Sequence, residues 1–188
     1  MYKRQPIPPS SYLVQQGADI IVNLSATNEL IGKHSYLLSL VRQQSARCVA
    51  GYVYASAGFG ESSTDLVFAG NGLVVENGSI LAESKRFSST PQLVVSEIDV
   101  ERLRTERRVM TSFAKGAWAH GRDARFIPFV LNDIPLRLTR KVGAFPFVPS
   151  DSLVLNERCA EILDIQSSGL AKRLVPVSYT HLTLPTIA

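Results

Sequence analysis

An α/β layered fold is what this chain of 188 residues predicts, and three features of the sequence predict it. Residues 18–24 (ADIIVNL) form a short β-branched apolar run, and residues 34–50 follow it with helical spacing. Behind them come several runs of strand length punctuated by glycine and by an Asn-Gly pair. Strand, helix and then further strands is the element order of a layered α/β domain.

Each element has its own reason. Residues 6–11 (PIPPSS) predict an extended lead-in, because each proline ring fixes φ and biases the preceding residue away from helix. Residues 18–24 predict a strand buried on both faces. Residues 25–33 (SATNELIGK) are the polar loop beyond its C-terminal end, where α/β proteins place ligand groups on a rigid support. In residues 34–50, Leu37, Leu38, Val41, Ser45, Cys48 and Val49 make an apolar stripe with Arg42 and Arg47 off it, as in an amphipathic helix packed on a sheet. A second strand is expected at 52–55, ended by a turn at 58–63. Strands are expected at 65–69 and 73–76, separated by Gly70 and Gly72, and Asn77-Gly78 predicts a hairpin into a strand at 79–83. Residues 93–98 predict one more strand, and 101–113 a charged helix that packs through Leu103, Met110 and Phe113.

From 114 to 152, glycine, proline and isolated aromatics (Trp118, Phe126, Phe129, Phe145, Phe147) hold no period, which predicts a long connector. Helical spacing returns at 156–174 through Cys159, Ile162, Leu163 and Leu170, so a second domain is expected to begin there and the sequence to be cut inside a larger protein. Residues 1–5 (MYKRQ) and 175–188 (VPVSYTHLTLPTIA) continue neither neighbour's pattern and resemble translated sequencing-adapter read-through; both are expected to be foreign to the fold.

Composition narrows the function classes. With 45% hydrophobic and 19% charged residues, and only 12 glycines and 10 prolines, the chain is neither disordered nor collagen-like. It has no apolar run long enough for a membrane span and no secretory h-region, so a cytoplasmic location is expected and no membrane partner. A net charge of +4 does not call for a nucleic-acid partner. The arginines at 102, 104, 107 and 108 are interleaved with Glu101 and Glu106, as on a solvated, salt-bridged helix face. Gly58-Phe59-Gly60 lacks the third glycine of a dinucleotide loop and reads as a turn. Cys48 and Cys159 lie on apolar sides of expected helices and are assigned to packing. His34, His120 and His181 share no ligand spacing, so no metal site is expected. The loop at 25–33 is different: Ser25, Thr27, Asn28 and Lys33 gather hydroxyl, amide and ammonium donors that could hold a carboxylate or an amide, or could simply cap the following helix.

Residues 17–87 closely resemble the later part of the nitrilase-like glutaminase domain of bacterial glutamine-dependent NAD+ synthases, most specifically through NLSATNELIGK and GYVYASAGFGESSTDLVFAGNG. Phe68 to Gly70 matches the Phe-x-Gly strand of the wider nitrilase superfamily, while 101–113, 146–150 and 156–174 look like the linker and first synthetase helix of the same enzymes. The resemblance implies part of a four-layer αββα sandwich at 6–113, an interdomain linker at 114–155 and the start of a synthetase domain at 156–174. It implies hydrolysis of glutamine through a thioester, with the ammonia used to amidate deamido-NAD at the expense of ATP with Mg2+, in a homo-oligomeric parent. The family's Glu, Lys and Cys lie upstream of residue 6 and its pyrophosphate loop lies beyond 174, so no catalytic, metal or cofactor residue is carried over and the chain itself is expected to be inactive. Two glutamine-holding positions are carried over, a hydroxyl at Thr27 and a base at Lys33. The alternatives are a stand-alone nitrilase-type amidase and a catalytically silent interaction module.

Overall fold

The computed structural model describes residues 5–62, 64–117, 124–132, 137, 139–140, 144–145, 148–149 and 151–175, and it divides into two units, residues 1–140 and 141–188. Trp118, His120, Phe147, His181, residues 146 and 150, and nearly all of the two expected foreign ends lie outside the described residues.

The first unit opens with a correction. Residues from Pro9 onward are not extended but form α1 (Pro9–Gln15), with Pro8 as the N-cap at φ −70 and ψ 149. A proline at the first helical position loses nothing, since its missing N–H would have had no intrahelical partner. The helix seats Val14 in the core at 2% exposure. Next, β1 (Ile20–Ser25) pairs in parallel with β2 (Gly51–Ser56), running from Ile20↔Gly51 to Ser25↔Ser56, and the crossover between them is α2 (Lys33–Cys48). β3 (Gly72–Glu76) and β4 (Ser79–Glu83) complete an antiparallel hairpin beside β2, giving the order β1-β2-β3-β4. Its turn is the expected Asn77-Gly78, with φ +44 and +82, the pair of left-handed residues that a two-residue hairpin of this twist demands. α2 is tied to that turn, where Arg42 Nε donates to the Gly78 carbonyl (3.0 Å) and the Gly78 N–H donates to Ser45 Oγ (3.2 Å).

The core lies between α2 and one face of this sheet, and joins Val14, Ile21, Val41, Cys48, Tyr52, Tyr54, Leu73 and Val75, with Leu37, Leu38 and Phe113 packed against it. The expectation of a first strand buried on both faces is not met. Ile21 is 7% exposed, whereas Val22 and Leu24, on the opposite face, are 68% and 81% exposed. The expected strand at 65–69 is also absent. That segment bonds loops rather than a strand, with the Glu29 N–H donating to the Val67 carbonyl (2.7 Å) and the Gly70 N–H to the Ala57 carbonyl (2.9 Å). Residues 93–98 likewise do not join the sheet. They cross its second face, and Val94 and Ile98 reach into the space left by the missing side chains of Gly72 and Gly51.

The single helix expected at 101–113 is two, α3 (Val100–Val109) and α4 (Thr111–Ala117), broken at Met110 with ψ 90. Asp99 caps α3 by accepting from the Arg102 N–H (2.9 Å). Leu103 is buried as expected, but Met110 is 45% exposed. The break lets Phe113 meet the core while the Arg107 guanidinium stacks on its ring at 5.3 Å. Arg107 also donates to the carbonyls of Val49 (2.9 Å) and Ala18 (3.0 Å) and to Asp19 (3.1 Å), and Arg104 takes the other Asp19 oxygen at 2.6 Å. The arginine-rich face is therefore largely occupied by ion pairs, with Arg102 on Glu106 as a third (3.0 Å).

Glu76, at the end of β3, is 3% exposed and fully partnered. It accepts from the Asp99 N–H (2.7 Å) and from both fork nitrogens of Arg140 (2.8 and 2.9 Å). Burial pushes its carboxyl up, but the Arg140 fork and the Asp99 N–H outweigh burial and hold it below the ordinary range. In the second unit α5 (Ser152–Leu174) starts earlier than expected because Asp151 caps it, accepting from the Leu153 N–H (2.8 Å). No residue of α5 is buried. Cys159, assigned to packing, is exposed instead.

Arg107→Ala should lower the unfolding free energy by about 2–3 kcal/mol in urea titrations, because the carbonyls of buried Val49 and half-buried Ala18 and one oxygen of Asp19 lose their donor. Arg104→Ala should cost less; equal losses would show that Arg107 is not the central tie.

Glu76→Gln gives a pH test. A carboxylate whose folded pKa is depressed adds stability above its unfolded value, about 4.3, and loses it as pH falls through the folded value. The stability gap between the parent chain and Glu76→Gln should be full at neutral pH and close in acid, as read by thermal melts across that range.

Candidate functional site

The donor-rich loop sits where a parallel strand pair delivers it, beyond the C-terminal end of β1. β1 and β2 continue into it through the Ala57 N–H, which donates to the Ser25 carbonyl (2.8 Å). Ser25 Oγ and Thr27 Oγ1 share a hydrogen bond of 2.8 Å. The Lys33 ammonium donates to the carbonyl of Asn28, the residue after Thr27. The structure thus brings Thr27 and Lys33 into one loop and ties the ammonium to the backbone beside Thr27. The competing assignment as a helix cap is not observed, since the N-cap of α2 is Gly32 at φ +76 and no side chain caps it.

One contact that the sequence did not single out straps this loop down. Glu29 accepts from Arg86 Nη2 at 2.9 Å, and that guanidinium lies 4.8 Å over the Phe87 ring. The partners are far apart in sequence, and only the charge types of Glu29 and Arg86 hinted at them. His34, left unassigned above, lies 3.1 Å from both Glu83 and Asn71.

Elsewhere the chemistry is quieter. Cys48 is 4% exposed, and burial pushes its thiol up against the weaker opposing pull of Ser11, Arg107, Arg47 and Gln44. That is the setting of a packing cysteine and the reverse of an activated thiolate. One open groove of about 540 Å³, lined by Leu13, Ile21, Asn23, Tyr36, Gln44 and Tyr52, runs along the β1 edge. Another of about 450 Å³ involves Ser56, Gly58, Asn71, Gly72, Ser84 and Gln92. Neither of these two grooves is lined by Thr27 or Lys33. Among the described residues no three His, Cys, Asp or Glu side chains gather as a metal site, and no helix is long and apolar enough to cross a membrane.

No family model matches the chain. It is homologous to part of glutamine-dependent NAD(+) synthetase: with that of Mycobacterium tuberculosis it is 41% identical over 185 residues, which is 95% of this chain and 27% of the relative. The chain therefore spans about a quarter of the relative's length. Among solved structures, a glutamine-dependent NAD(+) synthetase from Cytophaga hutchinsonii aligns with 44% of this chain and 14% of its own, at 26% identity and TM-score 0.41. Nit3 of Saccharomyces cerevisiae, a member of branch 10 of the nitrilase superfamily, aligns with 53% of this chain and 36% of its own, at 20% identity and TM-score 0.44.

The two thiols should separate cleanly. Native chain treated with a small alkylating reagent should be modified at Cys159 at least about tenfold faster than at Cys48, the order set by burial. Intact-mass and peptide mapping read the result, and comparable rates would mean that the α2 core opens readily.

Proposed function

We propose that the chain is a portion of a glutamine-dependent NAD+ synthetase, drawn mainly from the glutaminase domain that hydrolyses glutamine and supplies ammonia for ATP-dependent amidation of deamido-NAD. The observation that carries this reading is the 41% identity sustained over 95% of the chain. In this reading residues 6–113 contribute to a four-layer αββα sandwich, 114–155 are the interdomain connector, and 156–174 begin the synthetase domain. The apolar outer face of β1, with Leu24 81% exposed, fits a sheet whose second face is covered by more of the same domain. The enzyme so formed is a cytoplasmic homo-oligomer.

The loop chemistry suits glutamine. An incoming carboxylate would give the Lys33 ammonium an oppositely charged acceptor in place of a neutral carbonyl, adding Coulomb attraction to a hydrogen bond whose donor is already charged. Thr27 can accept from Ser25 and still donate its own proton to a substrate oxygen. Thioester formation needs a thiolate beside acid-base partners; Cys48 is buried with its thiol pushed up, and the thiol of Cys159, exposed on α5, has no hydrogen-bond or ion-pair partner among the described residues, so the chain by itself should not turn glutamine over. Among the described residues no three His, Cys, Asp or Glu side chains converge as a metal site. A stand-alone amidase is the weaker reading, because the identity extends through nearly all of the chain, α5 included.

In a full-length enzyme carrying this segment, Lys33→Ala should lower kcat/KM for glutamine about 10- to 100-fold, the loss of one charged hydrogen bond, while synthesis from free ammonia persists. Equal loss with both nitrogen sources would assign Lys33 a structural role.

A further inference from the structure

His34 is the residue next to Lys33, and both of its ring nitrogens are engaged. Nε2 lies 3.1 Å from a Glu83 carboxylate oxygen, and Nδ1 lies 3.1 Å from the Asn71 amide nitrogen. An ionised carboxylate can only accept and an amide nitrogen can only donate, so the neutral imidazole protonated on Nε2 satisfies both partners at once. Neither partner is on the helix. Asn71 immediately precedes β3, is 2% exposed, and is held by its carbonyl, which accepts from the Ser56 N–H (2.9 Å). Glu83 is the last residue of β4.

The start of α2 needs such a tie. It follows a left-handed glycine, lacks a side-chain cap, and is otherwise fixed locally by the Lys33 N–H on the Leu30 carbonyl (3.1 Å) and Ser35 Oγ on the Gly32 carbonyl (2.9 Å). Those two bonds stay within the turn and do not relate it to the sheet. The imidazole does so directly, from one helical residue to the residue that leads into β3 and to the last residue of β4. The Asn71 side chain makes its hydrogen bond to His34, and its buried Oδ1 has no partner.

We propose that His34 is a positioning residue for glutamine recognition: by bridging Asn71 and Glu83 it fixes the first turn of α2 on the sheet and thereby aims the Lys33 ammonium. This rests on the glutamine reading of Lys33 given above. The bridge itself does not, which lets the two be tested apart.

Two experiments do so. In the 188-residue chain, a long-range ¹H–¹⁵N spectrum of the imidazoles near neutral pH should report His34 as the Nε2–H tautomer; an Nδ1–H tautomer would overturn the bridge, whatever Lys33 does. In a full-length enzyme carrying the segment, His34→Ala should raise the glutamine KM about three- to tenfold, as expected for two lost hydrogen bonds acting through a neighbour, with ammonia-dependent synthesis as the folding control. His34→Gln, which can reach Glu83 with its amide, should recover part of that rise, and His34→Ala added to Lys33→Ala should change KM no further. A rise of the same size in the Lys33→Ala background, or no rise at all, would overturn the positioning role. If Lys33→Ala alone leaves the glutamine KM unchanged while the tautomer is as expected, it is the glutamine reading of Lys33 that fails, and the aiming role falls with it.

Discussion

The register of the parallel pair β1–β2 governs where everything else in the first unit can sit, and it is set around Asp19 and Arg107. Asp19 uses its carbonyl to accept from the Gly51 N–H (2.9 Å), which starts the ladder, and its carboxylate to hold Arg107 and Arg104. Arg107 in turn reaches the Val49 carbonyl, and Val49 is a β-branched residue at φ +46, a conformation such side chains avoid. That awkward residue ends α2 and turns the chain straight into β2. One guanidinium thus fixes the start of β1, the end of the crossover helix and the start of β2. A slip of one residue would move Ile21 out of the core and Val22 in, and would carry Ser25, Thr27 and Lys33 to a different height above the sheet.

The parts of this arrangement visible in the sequence are those whose cause is local. Asn77-Gly78 could be named as a turn because the left-handed dihedrals it adopts are open to few residue pairs. The stripe from Leu37 to Cys48 could be named as a helix because its period is carried by contiguous residues. The misses share a different cause. Alternation at 93–98 encodes which side chains turn inward, not whether the backbone pairs with a neighbour, and the spaces over Gly51 and Gly72 that receive Ile98 and Val94 belong to strands far away in the chain. The break at Met110 serves Phe113 and Arg107, whose partners lie on other elements. Cys159 carried the right helical spacing, but spacing shows that a helix has an apolar stripe and not that a partner covers it.

The same division runs through the candidate site. Thr27 and Lys33 stood out because they share one short polar segment. The groups that hold that segment did not, since the Arg86 that pairs with Glu29 is 57 residues away and the Asn71 that meets His34 is 37 away. Nothing in the local pattern marks Arg86 as bound to Glu29 rather than to solvent.

These restraints bear on how the loop would meet an anionic ligand. Glu29 is held by Arg86 and by the Val67 carbonyl, and Thr27 by Ser25, so the backbone carrying the donors is ordered before any ligand arrives. Binding to an ordered loop avoids the cost of immobilising it, a cost that otherwise consumes much of the gain from polar contacts. In the role proposed for Lys33, what would remain is an exchange, in which its ammonium leaves the Asn28 carbonyl for a carboxylate. The direction of that exchange would be favoured by charge, because a carboxylate adds ion–ion attraction that a neutral carbonyl does not offer the ammonium. Selectivity would then come from geometry: the ammonium can swing only about a backbone anchored through Leu30 and His34, so a ligand must present its carboxylate within that arc while offering Thr27 an acceptor.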